Sequence, residues 1–188
     1  MSTAVKTAAT PTSWTIDPVH SSVEFSVRHL MITTVKGRFT EVKGTVVLDE
    51  ASPARSSADI TIAAGSIDTR EAQRDAHLRS ADFFEVDRYP AITFRSTRVE
   101  GSIGKDFTLI GDLTLHGVTR EVALAVTPEG RAGDPWGGTR AGFTATTKIK
   151  RSEYGLTWNQ LLETGGLTVS DDVKIALDVQ LVSQAKQG

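Results

Sequence analysis

Apolar residues recur at every second position over most of this chain. Val23, Phe25 and Val27 alternate with Glu24, Ser26 and Arg28. Ala58, Ile60, Ile62 and Ala64 share one face, as do Phe107, Leu109, Gly111, Leu113 and Leu115, then Val122, Leu124 and Val126, then Ala141, Phe143, Ala145, Thr147 and Ile149. The clearest run is the last: Val173, Ile175, Leu177, Val179 and Leu181 oppose Asp172, Lys174, Ala176, Asp178 and Gln180. A period of two gives each strand one dry and one wet face. A parallel sheet covered on both sides would show unbroken apolar runs instead. Eight strands are predicted, near 21–30, 36–48, 56–64, 91–100, 106–115, 118–127, 139–149 and 172–182. Within 36–48 the phase slips from odd (Val35, Gly37, Phe39) to even (Val42, Gly44, Val46, Leu48), which predicts a β-bulge near Thr40–Glu41. Leu115-His116-Gly117-Val118 reads as a two-residue hairpin turn, and the Gly- and Pro-rich stretch 127–138 as a longer, mobile hairpin loop.

Between Ser66 and Pro90 the pattern turns helical. Asp68 with Glu71 makes an N-terminal capping signal, and no Gly or Pro interrupts Arg70 to Arg79. Pro90 then restricts Tyr89 and reopens extended chain. A second irregular stretch covers 150–172. Eight one-sided strands hide their dry faces in a sandwich or in a barrel, and closure also removes the edge strands. The fold expected is mainly all-β: an antiparallel eight-stranded β-barrel with a short helical insert at about 68–86. Residues 1–13 read as a flexible N-terminal tail and 14–188 as a single domain. Small dry-face residues (Ala58, Ala64, Gly111, Ala141, Ala145) either leave room inside or permit tight packing.

Composition narrows the function. The chain has 188 residues and a formal net charge of −2, which argues against broad phosphate neutralisation on nucleic acid. It has no Cys, so disulfides, Cys-ligated zinc, iron–sulfur clusters and thiol catalysis are excluded. No stretch reaches the ~18 apolar residues a membrane helix needs, and no amphipathic anchor helix is visible, so no stable membrane anchor is expected. Residues 1–13 lack the apolar region of a secretory signal, so a cytoplasmic location is expected.

Four His (His20, His29, His77, His116) fall in no metal-ligating spacing, and no nucleophile elbow, P-loop or dinucleotide fingerprint precedes a helix. No catalytic residue, metal site or cofactor is assigned. His116 reads as a turn residue, His20 as bonding locally at a strand entrance, His29 as the polar face or end of its strand, and His77 as solvated or structural. Arg70, Arg74, Arg79 and Arg88 cluster around the insert. They pair with Glu71, Asp75 and Asp82 on a solvated surface, or face a phosphate at a barrel mouth.

Several separated blocks resemble one family. They are Trp14-Thr15-Ile16-Asp17-Pro18-Val19-His20-Ser21-Ser22-Val23-Glu24-Phe25; Gly37-Arg38-Phe39 with Gly44; Arg74-Asp75-Ala76-His77-Leu78-Arg79-Ser80-Ala81-Asp82-Phe83-Phe84 continuing to Tyr89-Pro90-Ala91-Ile92-Thr93-Phe94; Gly111-Asp112-Leu113-Thr114-Leu115-His116-Gly117-Val118-Thr119; and Arg151-Ser152-Glu153-Tyr154-Gly155. From Trp14 to about Val182 the chain resembles the YceI-like, polyisoprenoid-binding proteins. The resemblance implies a lipocalin-like barrel with a long apolar cavity, a bound isoprenoid chain such as a quinone or prenyl-phosphate lipid, and a homodimer. It supplies no catalytic residue. Many members are periplasmic and carry a leader, which this chain does not display.

The alternation then selects Phe25, Val27, Phe39, Ile92, Phe94, Leu113, Phe143 and Leu177 as cavity-lining residues, with Leu78 and Phe84 from the insert capping it. Arg70 and Arg74 are the candidates for a ligand headgroup. Two other readings remain: an enzyme acting on such a lipid through His or Asp at the mouth, and a filled barrel acting through its surface. A His within reach of a carboxylate in an open cavity would favour the first, and a missing void the second.

Overall fold

The computed structural model describes residues 11–183 apart from 136, 162, 164 and 165. Its strands are β1 (Thr12–Ile16), β2 (Ser22–His29), β3 (Thr33–Phe39), β4 (Val42–Leu48), β5 (Ser57–Ala63), β6 (Ile67–Asp68), β7 (Ala91–Gly101), β8 (Phe107–Leu115), β9 (Val118–Gly133), β10 (Thr139–Lys150) and β11 (Asp172–Ser183), with helix α1 (Ala72–Arg79) between β6 and β7. All pairings are antiparallel. The lower half of β11 pairs with β1 and the upper half with β2; β1 pairs with β4, and β2 with β3. The segments β1/β2, β3/β4 and β5/β6 therefore act as three interrupted strands. With β7 to β11 they close an eight-stranded, lipocalin-like barrel.

The expected bulge at Thr40–Glu41 is a full break. β3 pairs with β2 and β6, whereas β4 pairs with β1 and β5. Ser66 fills the gap: its carbonyl accepts the Thr40 amide at 3.2 Å and its hydroxyl accepts that of Glu41 at 3.1 Å. Bulges lie elsewhere, between Ser96 and Arg98 and beside Gly142. The long hairpin loop expected over 127–138 is mostly ladder. β9 runs on to Gly133, and the connection shrinks to residues 134–138. Gly130, at φ +116°, serves the bulge, while Gly137, at φ +91°, serves the shortened turn. Thr12 and Ser13 belong to β1, paired with Leu48 and Val47; residues 1–10 of the expected tail lie outside the described residues. Helix α1 is shorter than the expected insert. Its cap is Glu71, whose carboxylate accepts the Gln73 and Arg74 amides, while Asp68 accepts the Arg70 amide one turn earlier.

Asp17 clamps the β1–β2 interruption. Its carboxylate accepts from the His20 ring, the Arg140 guanidinium, the Gln180 amide and the Val19 backbone. The His20 hydrogen bond, followed by those of Arg140 and Val19, holds its pKa far below the ordinary carboxylate range against the opposing push of burial. A carboxylate depressed on folding stabilises above its unfolded pKa of about 3.9, and that contribution fades as pH falls toward the folded value. Asp17→Asn is therefore expected to melt below wild type at neutral pH, with the gap closing below about pH 3.9. Melting curves of both proteins across pH check this.

The small dry-face residues mostly serve packing. Ala64 and Ala141 are buried in the core. At Gly111 a Cβ would stand 2.5 Å from the Arg95 carbonyl oxygen and 2.6 Å from the Phe94 ring, so the glycine lets Phe94 lie against the wall. Gly111→Ala is expected to cost about 1–3 kcal/mol through overpacking, read from a denaturant melt.

Candidate functional site

The barrel is not filled. A cavity of about 370 Å³ occupies its upper half, between the inner faces of β2, β7, β8, β9 and β11 and the helix above them. A second chamber of about 120 Å³ continues below, enclosed by residues such as Leu48, Ile103, Phe107 and Leu181. Val23, Ile60, Phe94, Leu124 and Leu177 border both chambers, so they form the waist between them. On β11 every inward position from Val173 to Leu181 faces one chamber or the other. That run spans about 26 Å along the strand at ~3.3 Å per residue.

All ten apolar candidates stand on these walls. Phe25, Val27, Phe39, Leu78, Phe84, Ile92, Phe94, Leu113 and Leu177 line the upper chamber, and Phe143 lines the lower one. Phe39 ties wall to lid: its ring lies 5.7 Å from Phe25 and makes an edge contact with Phe84 at 5.8 Å.

The two headgroup candidates separate. Arg74 reaches the cavity wall, but its Nε and one Nη donate to the Thr69 hydroxyl and carbonyl at 2.8 and 2.9 Å. Thr69 is itself held by the buried carboxylate of Asp75. Arg70, at φ +62°, is exposed and stands outside the wall. Arg79 grips backbone rather than an acid, donating to the Gly65 and Ile67 carbonyls, and Arg88 pairs with Glu85 rather than with an acid of the expected set.

The mouth is built largely from residues that the alternation did not select. His77, Phe83 and Trp158 form an aromatic triangle on the wall, with ring separations of 5.1, 4.8 and 5.2 Å. The His77 Nε2 lies 2.8 Å from an Asp82 oxygen. The Asp82 side chain is 54% exposed, so this pair sits at the rim and anchors the triangle. His29 ends β2 in the inward phase rather than on the polar face, and bridges to Val169. His20 does bond locally, to Asp17; His116 sits in the β8–β9 turn at φ +52° and also reaches across to the Tyr154 carbonyl at 3.1 Å.

Arg151 organises the other side of the mouth. Its side chain is buried and carries no salt bridge among the described residues. Instead it donates to four carbonyls, those of Leu156, Trp158, Val169 and Ser170. Burial lowers its pKa, opposed by the Asp171 charge, and an arginine remains protonated under such a push. One guanidinium thus pins the irregular chain between β10 and β11 over the cavity. Its signal in the sequence was the Arg151–Gly155 block: Gly155 takes the left-handed cap at φ +76° that ends the short turn Arg151 begins. Charged and imidazole groups therefore stand at the mouth and mostly aliphatic and aromatic groups line the barrel, an arrangement that has room for an apolar chain with a polar end at the mouth. Among the described residues no cluster of His, Asp or Glu is placed to hold a metal, and no helix is long and apolar enough to cross a membrane.

The chain was compared with known proteins. Residues 14–181 match the model of the YceI-like domain. Protein YceI of Escherichia coli O17:K52:H18 (strain UMN026 / ExPEC) is 41% identical over 165 residues, spanning 88% of this chain and 83% of that one. The crystal structure of BcnA from Burkholderia cenocepacia superposes with a TM-score of 0.76 at 25% identity, covering 90% of this chain and 99% of its own. A polyisoprenoid binding domain from Saccharophagus degradans, implicated in plant cell wall breakdown, shares the fold with a TM-score of 0.65 at 17% identity, over 92% of this chain and 99% of that domain. With a matching domain model over nearly the whole barrel and a relative at 41% identity, the chain belongs to the YceI-like family.

Proposed function

We propose that the barrel binds an isoprenoid or related long-chain amphiphile, tail inward, and serves to carry, store or sequester it. The observation that carries this reading is the apolar double chamber, with Arg74, His77 and Arg151 at its mouth. The family and the polyisoprenoid binding domain that shares its fold support it. Each buried CH₂ contributes about 0.8 kcal/mol relative to water. The relevant competitor is a membrane or micelle, however, so net selectivity falls to the mouth. The walls fix no chain length, and the headgroup would meet His77, Trp158 and the Thr69–Arg74 pair rather than Arg70. The His77–Asp82 pair meets the geometric condition named for an enzyme, but it stands at the exposed rim and anchors the aromatic triangle, and no catalytic role is proposed for it. Titration with geranylgeraniol, followed by tryptophan fluorescence, tests the reading. Saturation at one ligand per chain is expected. A response no different from that of a short-chain alcohol would count against it.

A further inference from the structure

We propose that the mouth of the barrel docks on a lipid bilayer through two apolar fingers. The first is the tip of the β2–β3 hairpin, where Met31 and Ile32 are 61% and 72% exposed. The second is the chain between β10 and β11, where Leu161 is 83% and Leu167 44% exposed. The fingers are bound side by side: the Leu30 amide donates to the Thr168 carbonyl at 2.8 Å and His29 bridges to Val169, while Leu161 bridges to Leu167 within the second finger. His29, Thr168 and Val169 also line the upper chamber, so the exposed aliphatic rim runs directly into the cavity.

The backbone of the first finger supplies an independent observation. Leu30 and Met31 both have positive φ, +51° and +60°, with the Ile32 amide closing the turn on His29. Two-residue turns of this kind favour Asn-Gly, because bulky side chains are strained in that region. The tip thus carries strained backbone and exposed apolar surface together, where a cheaper and more soluble pair would close the same hairpin. It is also held firmly: the Arg28 guanidinium donates to the Met31 carbonyl at 2.8 Å and to the Thr34 hydroxyl at 3.2 Å.

The occupant follows from shape and charge. The exposed side chains are all aliphatic or thioether and stand at the rim of an apolar chamber, and side chains of this kind enter a fluid hydrocarbon layer readily. Continuity with the chamber lets a chain pass from bilayer to barrel without crossing water. This step rests on the lipid reading of the cavity. The fingers carry Arg28, already engaged by the hairpin, and the acidic Glu163, with no run of lysines or arginines among the described residues. Docking therefore needs no anionic lipid and resists salt.

The test is flotation of the full chain with phosphatidylcholine vesicles at low and high salt. Wild type is expected to float at both. A Met31→Gly/Ile32→Ser variant and a Leu161→Ser/Leu167→Ser variant are each expected to lose at least about tenfold in partitioning. Met31→Gly alone is expected to float more weakly than wild type while its Tm rises by about 2–4 °C, because glycine relieves the positive φ, so lost flotation there is not lost folding. Failure of wild type to float, or variants that float like wild type, overturns the proposal. A dimer in solution that the Met31→Gly/Ile32→Ser change dissolves assigns the patch to a second copy and overturns it too. Uptake of geranylgeraniol added without vesicles separates the two readings. Finger variants that stop floating but still take it up have lost docking alone, as expected; if wild type does not take it up, the cavity reading has failed.

Discussion

Val122→Trp is expected to abolish uptake of a long-chain isoprenoid while leaving the barrel folded. Val122 points inward from β9, between the exposed Glu121 and Ala123, and lines only the upper chamber. It pairs across the sheet with Gly111 and lies outside the tightly packed core cluster. An indole there is expected to extend into the chamber that Val122 lines. Filling an empty apolar cavity commonly stabilises by about 0.5–2 kcal/mol, so Tm is expected to stay level or rise. The same ring removes the room and the apolar contacts that a tail would use. Apparent affinity should fall by at least about tenfold, since losing a few buried CH₂ groups at ~0.8 kcal/mol each already accounts for that. Ala123→Trp, one residue away on the outer face, is the control and should bind as wild type. Parallel titrations and melts of the three proteins read this out. Wild-type affinity in Val122→Trp would place the ligand somewhere other than the upper chamber.

Arg151→Ala is expected to cost about 3–5 kcal/mol. Its guanidinium satisfies carbonyls of four residues between Leu156 and Ser170, and hydrogen bonds from a charged donor contribute roughly 1.5–3 kcal/mol each when one partner is deleted. The effects are not additive, because those carbonyls partly recover water once the loop opens. At roughly 2–4 °C per kcal/mol for a chain of this size, the fall in Tm is expected to exceed about 6 °C. Arg151→Lys should rescue little, since a single ammonium cannot reproduce a planar fork that reaches both sides of the loop. Hydrogen exchange should localise the loss to 156–170, with β10 and β11 protected until global unfolding. Ligand retention should fall with it, because Leu156, Trp158, Thr168 and Val169 form the mouth. A variant that melts and exchanges like wild type would show that the loop is held by other contacts.

The barrel was legible in the chain because alternation carries direction. The inward phase of Phe25, Phe94, Leu113, Phe143 and Leu177 follows from a period of two, and all five stand on the chamber walls. Alternation is silent where strands stop. The phase slip near Thr40 marked the right place but not the event: a bulge and a break look alike in one strand, and only the partners of β3 and β4 distinguish them. The run over 127–138 misled because Gly and Pro signal a turn, whereas here they also accommodate a bulge within a ladder. The mouth was the least legible part. His77 on the helix meets Trp158 in the irregular loop across a long separation in chain, and Arg151 holds that loop through its carbonyls, with no common period to signal either. Arg70 and Arg74 were paired by helical spacing. The cap at Glu71 instead begins the helix at Ala72, which leaves Arg70 outside it in a left-handed turn.

The central claim is that the double chamber holds the tail of a long-chain lipid, and native mass spectrometry with solvent extraction tests it most directly. The protein as purified, and the same protein incubated with a long-chain isoprenoid, are measured beside Val122→Trp. The expected result is one lipid per wild-type chain, either co-purified or taken up, released by organic solvent and absent from Val122→Trp. A wild-type mass that stays bare of lipid under both conditions, from a protein that melts cooperatively, would contradict it.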